Sequence, residues 1–283
     1  MKTFLPGETP QPKFHELMLS AVAPRPIAFV STVDKEGQPN LSPFSFFNVF
    51  GSNPPICVFS PARSGRTGQT KNTFDNVMEV KECVVNIVNE DMLHQMNLAS
   101  GEYPKGVNEF VKAGFTMLAS DFVAPPRVAE SFAQLECKVL NVIETGTGGG
   151  AGNLIICEIL CLHFNENVLD ENNSVDPVKM KYIARMGKDF YCRADVSNIF
   201  EVAKPKANSN LGIGFDALPK HILRSNILTG NDLAQLASVH EIPALSADET
   251  ISFKKENADQ TAQQLIQQGN LIDAWKILLA SQS

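Results

Sequence analysis

The stretch Arg25–Ser60 constrains the fold most, because its turn residues divide it into short, separate strands. Pro26–Thr32 is an apolar, β-rich run, and a turn at 34–37 follows it. After a second break at 51–55, Ile56–Ser60 forms another apolar run. This part of the chain is therefore predicted to form three successive strands joined by turns.

The middle strand of the three, predicted at Asn40–Asn48, has an unusual composition. Its sequence, NLSPFSFFN, places small polar side chains among three phenylalanines, where a purely structural strand would carry Val or Ile. Pro43 removes a backbone donor, so this strand is expected at a sheet edge, or irregular where a ligand approaches. A polar, aromatic and kinked strand suits an apolar planar ligand whose rim needs hydrogen bonds.

Composition and charge indicate a soluble cytoplasmic enzyme. The 283 residues are 43% hydrophobic, enough for a core in one or two domains. The net charge of -7 argues against a nucleic acid or an anionic membrane as partner. A signal peptide and a membrane span are not expected, because the chain has no apolar run of the required length. The six cysteines include no C-x-x-C pair and are interpreted as reduced core thiols.

A series of short motifs follows in a fixed order and spacing along the first 200 residues. They are Arg25–Ala28, Ser31–Asp34, Asn40–Asn48, Pro54–Pro55, Lys71–Thr73 with Asn76, Val84–Asn86, Asn108–Phe110, Ala113–Gly114, Pro125–Val128, Leu135–Lys138, Arg185–Gly187 and Tyr191. Together they resemble the flavin reductase-like family, the FMN-binding split β-barrel proteins. The resemblance implies a flavin-binding barrel that is usually dimeric and acts as a reductase or an electron carrier.

The expected architecture is mainly β with peripheral helices. The resemblance implies an FMN-binding split β-barrel of Greek-key type over residues 1–200. Local patterns place a helix at 71–80, strands at 82–88, 132–143 and 154–164, and short helices at 90–100 and 108–113. After a polar connection at 205–215, several short helices are predicted up to residue 283. We expect residues 201–283 to form a helical C-terminal extension, packed on the barrel or across a dimer.

The segment from Phe59 to Thr73, FSPARSGRTGQTKNT, combines cations, hydroxyl groups and glycines ahead of a predicted helix start. Backbone N–H groups at a helix start favour an anion. Composition alone slightly favours an ordinary basic surface loop. The resemblance instead implies a binding site for the flavin phosphate, made by Ser60, Arg63, Arg66, Lys71 and Thr73.

The resemblance also implies which residues surround the flavin ring: Ser31, Thr32, Ser45, Phe46, Phe47 and Asn48. The ring needs donors near N5, O4 and O2, which gain charge when a hydride arrives. Backbone amides beside the phenylalanines could serve. In the alternative interpretation the phenylalanines are core residues and Asn48 closes a turn.

Arg185, close to Tyr191 in the sequence, is a further cofactor-binding candidate. The resemblance implies that this segment lies near the flavin, often contributed by the partner chain of a dimer. A surface arginine paired with Asp189 is an equal alternative.

Several other kinds of site are not supported. The glycine run at 144–153 formally fits a dinucleotide-binding pattern, but a predicted strand follows it instead of a helix, which favours a hairpin loop. The five histidines lack metal-ligand spacing, so no metal site is predicted. No G-x-S-x-G motif and no catalytic acid–base pair is evident.

These observations predict an FMN-binding oxidoreductase, favoured as a homodimeric flavin reductase that transfers a hydride from NADH or NADPH to flavin N5. Two alternatives stay open. One is an electron-transfer protein that carries FMN permanently, like a flavoredoxin. The other is a flavin-binding protein without turnover.

Overall fold

The computed structural model describes residues 1–202, 204, 211–244 and 257–281. The chain divides into two compact units, Met1–Ile199 and Phe200–Ser283. The first unit is built on β-sheet, and the described part of the second unit is helical. The assignment of a flavin domain to 1–200 and of an extension to 201–283 stays a prediction.

Seven strands of the first unit form one antiparallel sheet in the order β2-β1-β5-β8-β9-β4-β3. Two further pairs, β6 with β7 and β10 with β11, are small two-stranded sheets. The strands are β1 (Ala28–Val33), β2 (Pro39–Phe44), β3 (Phe47–Ser52), β4 (Pro55–Phe59), β5 (Glu82–Ile87), β6 (Met117–Leu118), β7 (Arg127–Val128), β8 (Ala133–Glu144), β9 (Asn153–Phe164), β10 (Ile183–Arg185) and β11 (Tyr191–Arg193). This mainly β architecture with helices around it is a split β-barrel, as predicted.

The prediction of one continuous strand at Asn40–Asn48 is wrong. The structure forms β2 and β3 there, with a break at Ser45 and Phe46, and these two strands are the outermost strands of the sheet. Pro43 pairs with Phe29 of β1 and has no neighbour on its other side, as expected for a proline at a sheet edge. The dipeptide break therefore carries the chain from one edge of the sheet to the other.

The first unit has four α-helices, of which α1 was not predicted. They are α1 (Gln11–Ala21), α2 (Asn72–Val80), α3 (Leu93–Ala99) and α4 (Glu109–Ala113). Strand β1 is buried on both faces, because Ala28 and Val30 join one hydrophobic cluster while Ile27 and Phe29 join another. All six cysteines are free thiols; four of them are buried, as predicted for core cysteines, whereas Cys161 and Cys192 are half-buried.

The second unit has its own hydrophobic core around Trp275, whose Nε1 donates to the Leu236 carbonyl at 3.1 Å. Its helices are α5 (Lys220–Leu223), α6 (Gly230–Ala237), α7 (Ala258–Gln267) and α8 (Leu271–Ala280). They agree with the predicted short helices. Residues 205–210 of the predicted polar connection lie outside the described residues, as do 245–256 and 282–283. In the described ranges, none of the helices combines the length and the apolar character that a membrane crossing requires.

Trp275 allows the two units to be followed separately, because it is the only tryptophan in the sequence and is buried in the second core. Since each unit has its own core, we expect two unfolding transitions in urea. Tryptophan emission should follow the second unit, and the far-UV signal of the sheet should follow the first. A chain ending at residue 199 should keep the sheet transition at an unchanged midpoint. One shared midpoint, or a shortened chain that does not fold, would contradict two independent units.

Candidate functional site

The break at Ser45–Phe46 opens onto two clefts that share Ser45, Phe46 and Ser60 in their walls. We call the first, of about 560 Å³, the cationic cleft, and its charged residues are Arg66, Lys71, Glu102, Lys105 and Glu109. We call the second, of about 320 Å³, the aromatic cleft, and its walls include Arg25, Phe46, Phe47, Asn48, Phe50, Phe59 and Leu154. Both volumes lie in or near the range of small-molecule sites.

In the cationic cleft, one carboxylate connects two of the three cations that the resemblance assigned to phosphate binding. Lys71 Nζ lies 2.9 Å from Glu102 Oε1, and Arg66 Nη2 lies 3.1 Å from Glu102 Oε2. The hydrogen bond from Lys71, followed by the charge of Lys71 and the contact with Arg66, lowers the pKa of Glu102. Lys71 is also the N-cap residue of α2 and makes no side-chain hydrogen bond to the first turn of that helix.

Arg63 has different partners from the other predicted phosphate residues, and its side chain does not line either cleft. Its guanidinium lies 2.7 Å from Glu144 at the end of β8. Its backbone N–H donates to Ala151 at 2.9 Å, and its carbonyl accepts from Gly150 at 3.1 Å. Arg63 therefore connects the segment Phe59–Thr73 to the β8–β9 hairpin. Its role as a phosphate ligand stays a prediction.

The glycine run at 144–153 contains residues that Arg63 contacts. It connects β8 directly to β9, which confirms the hairpin loop and gives no helix for a dinucleotide site. A Cβ on Gly149 would lie 2.9 Å from the Gly65 carbonyl oxygen, so only glycine allows this approach to the segment that contains Arg66.

The aromatic cleft combines exposed and packed rings. The Phe46 side chain is partly exposed at the break, and Phe44 stacks on Phe59 with ring centroids 5.7 Å apart. Asn48 accepts a hydrogen bond from the following backbone N–H, at Val49. The walls are therefore apolar and aromatic, with Ser45 and Asn48 as their polar side chains near the break.

Arg25 is a cleft residue that sequence reasoning did not assign, although the Arg25–Ala28 motif had singled it out. Its buried guanidinium donates to the carbonyls of Leu19, Val22 at 2.8 Å and Met186 at 3.1 Å, and to Ser45 Oγ at 3.5 Å. Burial, and then the charge of Arg185, lowers its pKa. A positive charge is thus held against the aromatic cleft by carbonyl and hydroxyl oxygens.

Three predicted residues lie behind the clefts. Ser31, Thr32 and Thr73 are buried, and none of them lines a cleft. Ser31 Oγ donates to the Pro126 carbonyl at 2.5 Å, and Thr32 Oγ1 accepts from Asn76 at 3.1 Å. Thr73 Oγ1 accepts from Asn40 at 2.9 Å. All three hydroxyl groups therefore form hydrogen bonds within the chain. Their contacts with flavin stay a prediction.

The Arg185 side chain lies outside both clefts. Its guanidinium lies 4.6 Å from the centroid of the Tyr191 ring and 3.7 Å from Asp189, the partner in the alternative interpretation. Its backbone exchanges two hydrogen bonds of 2.9 Å with Arg25. These bonds fix the β10–β11 hairpin beside Arg25 of the aromatic cleft. The contact of Arg185 with flavin stays a prediction.

Glu109 is a second cleft residue that sequence reasoning did not assign. It lies at the start of α4, is buried, and accepts from the Leu41 N–H at 3.0 Å. Its burial raises the pKa of the carboxyl, against the smaller effect of the backbone hydrogen bonds. Glu109 belongs to the Asn108–Phe110 motif, but the motif did not indicate a role for the carboxyl group.

Within the described ranges, one cluster has metal-ligand chemistry: Asp121, Glu136 and His163. Their distant positions in the sequence concealed it. His163 Nε2 lies 2.7 Å from Glu136, which also accepts from the N–H groups of Asp121 at 2.9 Å and Phe122 at 2.6 Å. The buried Glu136 carboxylate therefore already accepts hydrogen bonds from protein donors, and these bonds hold the turn at 121–123.

Comparison with known proteins agrees with this geometry. The model of the flavin reductase like domain matches residues 19–185. The chain belongs to this family. A protein of Aquifex aeolicus, described only as uncharacterized, is 38% identical over 192 residues, which cover 68% of this chain and 95% of that protein.

Two solved structures are similar over about 70% of this chain. Nitrilotriacetate monooxygenase component B from Bacillus cereus is 28% identical, with a TM-score of 0.66, over 71% of this chain and 98% of that chain. A split-barrel protein from Shewanella frigidimarina is 23% identical, with a TM-score of 0.60, over 70% of this chain and 96% of that chain, and it shows the shared fold. Together with the family, the first similarity supports a flavin-related oxidoreductase.

The raised pKa of Glu109 predicts how its contribution to stability depends on pH. Because ionisation is less favourable in the folded than in the unfolded chain, this residue stabilises least once pH exceeds its folded pKa. Glu109→Gln keeps an acceptor for the Leu41 N–H but cannot ionise. Relative to the wild type, its free energy of unfolding should therefore rise as pH increases above about 4, and the difference should level off once pH exceeds the folded pKa of Glu109.

Urea unfolding at several pH values measures this difference. Glu171→Gln, at an exposed position, is the matched control and should show no such trend. A pH-independent difference for Glu109→Gln would contradict a carboxyl whose ionisation is opposed by burial.

Proposed function

We propose that this protein is a cytoplasmic FMN-binding oxidoreductase, a flavin reductase that takes a hydride from NADH or NADPH. One observation carries the proposal: a cation-lined cleft and an aromatic cleft meet at Ser45, Phe46 and Ser60. An anionic phosphate at one end and an apolar planar ring at the other end are the features of flavin mononucleotide. Membership of the flavin reductase like family supports the same chemistry.

For the phosphate we propose Lys71 and Arg66, with Ser60 at the junction of the clefts. Ammonium and guanidinium groups form strong, charge-assisted hydrogen bonds with phosphate oxygens. Ser60 is held in place, because its Oγ accepts from the Asn153 N–H at 3.0 Å and its own N–H donates to the Phe46 carbonyl at 2.9 Å.

For the ring we propose Phe46 and Phe47 as apolar walls, and Ser45, Asn48 and nearby backbone amides as polar contacts. Bound FMN would supply a ring able to accept a hydride or single electrons. Arg25 would favour added negative charge in the aromatic cleft, because its guanidinium is held at the wall within 3.5 Å of Ser45 Oγ.

We also propose a homodimer. Strands β3, β8 and β9 expose large apolar side chains: Val49, Phe50, Leu140, Ile143, Leu154, Leu160 and Leu162. An extended apolar surface of this kind is typical of protein interfaces. Phe50 and Leu154 also line the aromatic cleft, so a second copy on this face would contribute to closing it.

The two alternatives predict different electron donors. A flavin reductase oxidises NADH or NADPH rapidly, whereas a carrier with permanently bound FMN is reduced by another redox protein. A non-catalytic flavin-binding protein responds to neither donor. The similarity to a monooxygenase component favours a catalytic role.

Replacing Lys71 tests the phosphate assignment. A charge-assisted hydrogen bond contributes about 1.5–3 kcal/mol, so Lys71→Ala should weaken FMN binding about 10- to 100-fold. Riboflavin has the same ring without the phosphate, so its affinity should be nearly unchanged. Titration of both ligands, followed by flavin fluorescence, measures the two dissociation constants.

Lys181→Ala is the matched control, because Lys181 pairs with Asp91 at 2.8 Å and lines neither cleft. It should leave both affinities unchanged. Equal losses of FMN and riboflavin in Lys71→Ala would show a disturbed fold or ring site instead of a lost phosphate contact. If the affinity for neither ligand changes, the segment is an ordinary basic surface loop.

A further inference from the structure

The two cations proposed for the phosphate share one internal carboxylate, Glu102. Its oxygens are divided between them, with Oε1 at 2.9 Å from Lys71 and Oε2 at 3.1 Å from Arg66. Lys71 and Arg66 keep further N–H donors beyond these contacts. The Glu102 carboxylate nevertheless places a negative charge between them, which opposes a phosphate that binds the same two side chains.

Glu102 belongs to the connection between α3 and α4, which forms one wall of the cationic cleft. The backbone of this connection is held by hydrogen bonds around Tyr103, whose N–H donates to Gly101 at 2.9 Å and whose carbonyl accepts from Asn72 at 3.4 Å. The Glu102 side chain itself is 56% exposed, so it can rotate into solvent without disturbing a packed core.

Both cations are also open to solvent. The side chain of Arg66 is 80% exposed and that of Lys71 is 36% exposed. Contacts between exposed charges are weak individually, so the carboxylate and an incoming phosphate exchange easily at this place. The hydrogen bond from Lys71, followed by the charge of Lys71 and the contact with Arg66, lowers the pKa of Glu102, as expected for a carboxylate paired with two cations.

We propose that Glu102 is an internal competitor for the flavin phosphate, which sets a moderate FMN affinity and makes FMN an exchangeable substrate. The inference rests on the proposed FMN site. When FMN binds, Lys71 and Arg66 each exchange a carboxylate oxygen for a phosphate oxygen, and Glu102 turns to solvent. When FMN leaves, Glu102 compensates both cations again, which favours release.

Glu102→Gln tests the competition directly, because it removes the charge and keeps the size of the side chain. FMN affinity should rise about three- to thirtyfold, the combined effect of two exposed ion pairs. Riboflavin affinity should not change, since riboflavin has no group for these cations. In a Lys71→Ala background the gain should shrink, because one of the two contested cations is then missing.

Glu90→Gln is the matched control, since Glu90 pairs with Arg193 and lines neither cleft. It should leave FMN binding unchanged. A second variant, Glu102→Ala, should reproduce the gain, and thermal unfolding checks that each variant is folded.

The outcomes separate this inference from the proposed function. A wild type that binds FMN, with a Glu102→Gln variant that binds it equally or more weakly, would overturn the competition and leave the flavin site intact. An equal gain for riboflavin would also overturn it, because the effect would not act through the phosphate. A wild type that binds no FMN would overturn the proposed site and this inference together.

Discussion

The interruption of the β ladder between Phe44 and Phe47 is the constraint on which the site depends. Strands β2 and β3 are consecutive in the chain but lie at opposite edges of the sheet, so Ser45 and Phe46 pass between edges that do not pair with each other. Pro43 is compatible with this arrangement because it occupies an edge and needs no ladder donor there. A closed ladder at this point would remove the junction at which both clefts meet.

Charge is distributed unevenly along the two clefts, and this distribution favours one orientation of a bound ligand. Lys71 and Arg66 lie at the cationic end, whereas Arg25 lies in the wall of the aromatic cleft, beside Ser45. Glu109 also lines the cationic cleft, and its burial raises the pKa of its carboxyl. The arrangement favours a ligand with a phosphate at one end and a ring that gains negative charge at the other.

Local sequence patterns predicted β1, β4, β5, β8, β9, α2 and the β8–β9 hairpin, because alternation and turn residues act over short distances. The division of Asn40–Asn48 was missed because it depends on which distant strands flank each half. The partners of Arg63 could not be predicted either, since Glu144 is brought to it by the register of β8 and β9. Glu102 carries no local signal for a site, and the motif that contains Arg25 gave its side chain no role; only the folded chain places both residues at the clefts.

Anaerobic mixing of the FMN-loaded protein with NADH or NADPH distinguishes a flavin reductase from an electron carrier. We expect one of these donors to bleach the flavin absorbance in a rapid, saturable reaction, with one reduced flavin formed per donor oxidised. The same donors should act far more slowly on FMN without the protein. Tightly bound FMN that neither donor reduces, but that a separate redox protein does reduce, would contradict a flavin reductase and favour an electron carrier.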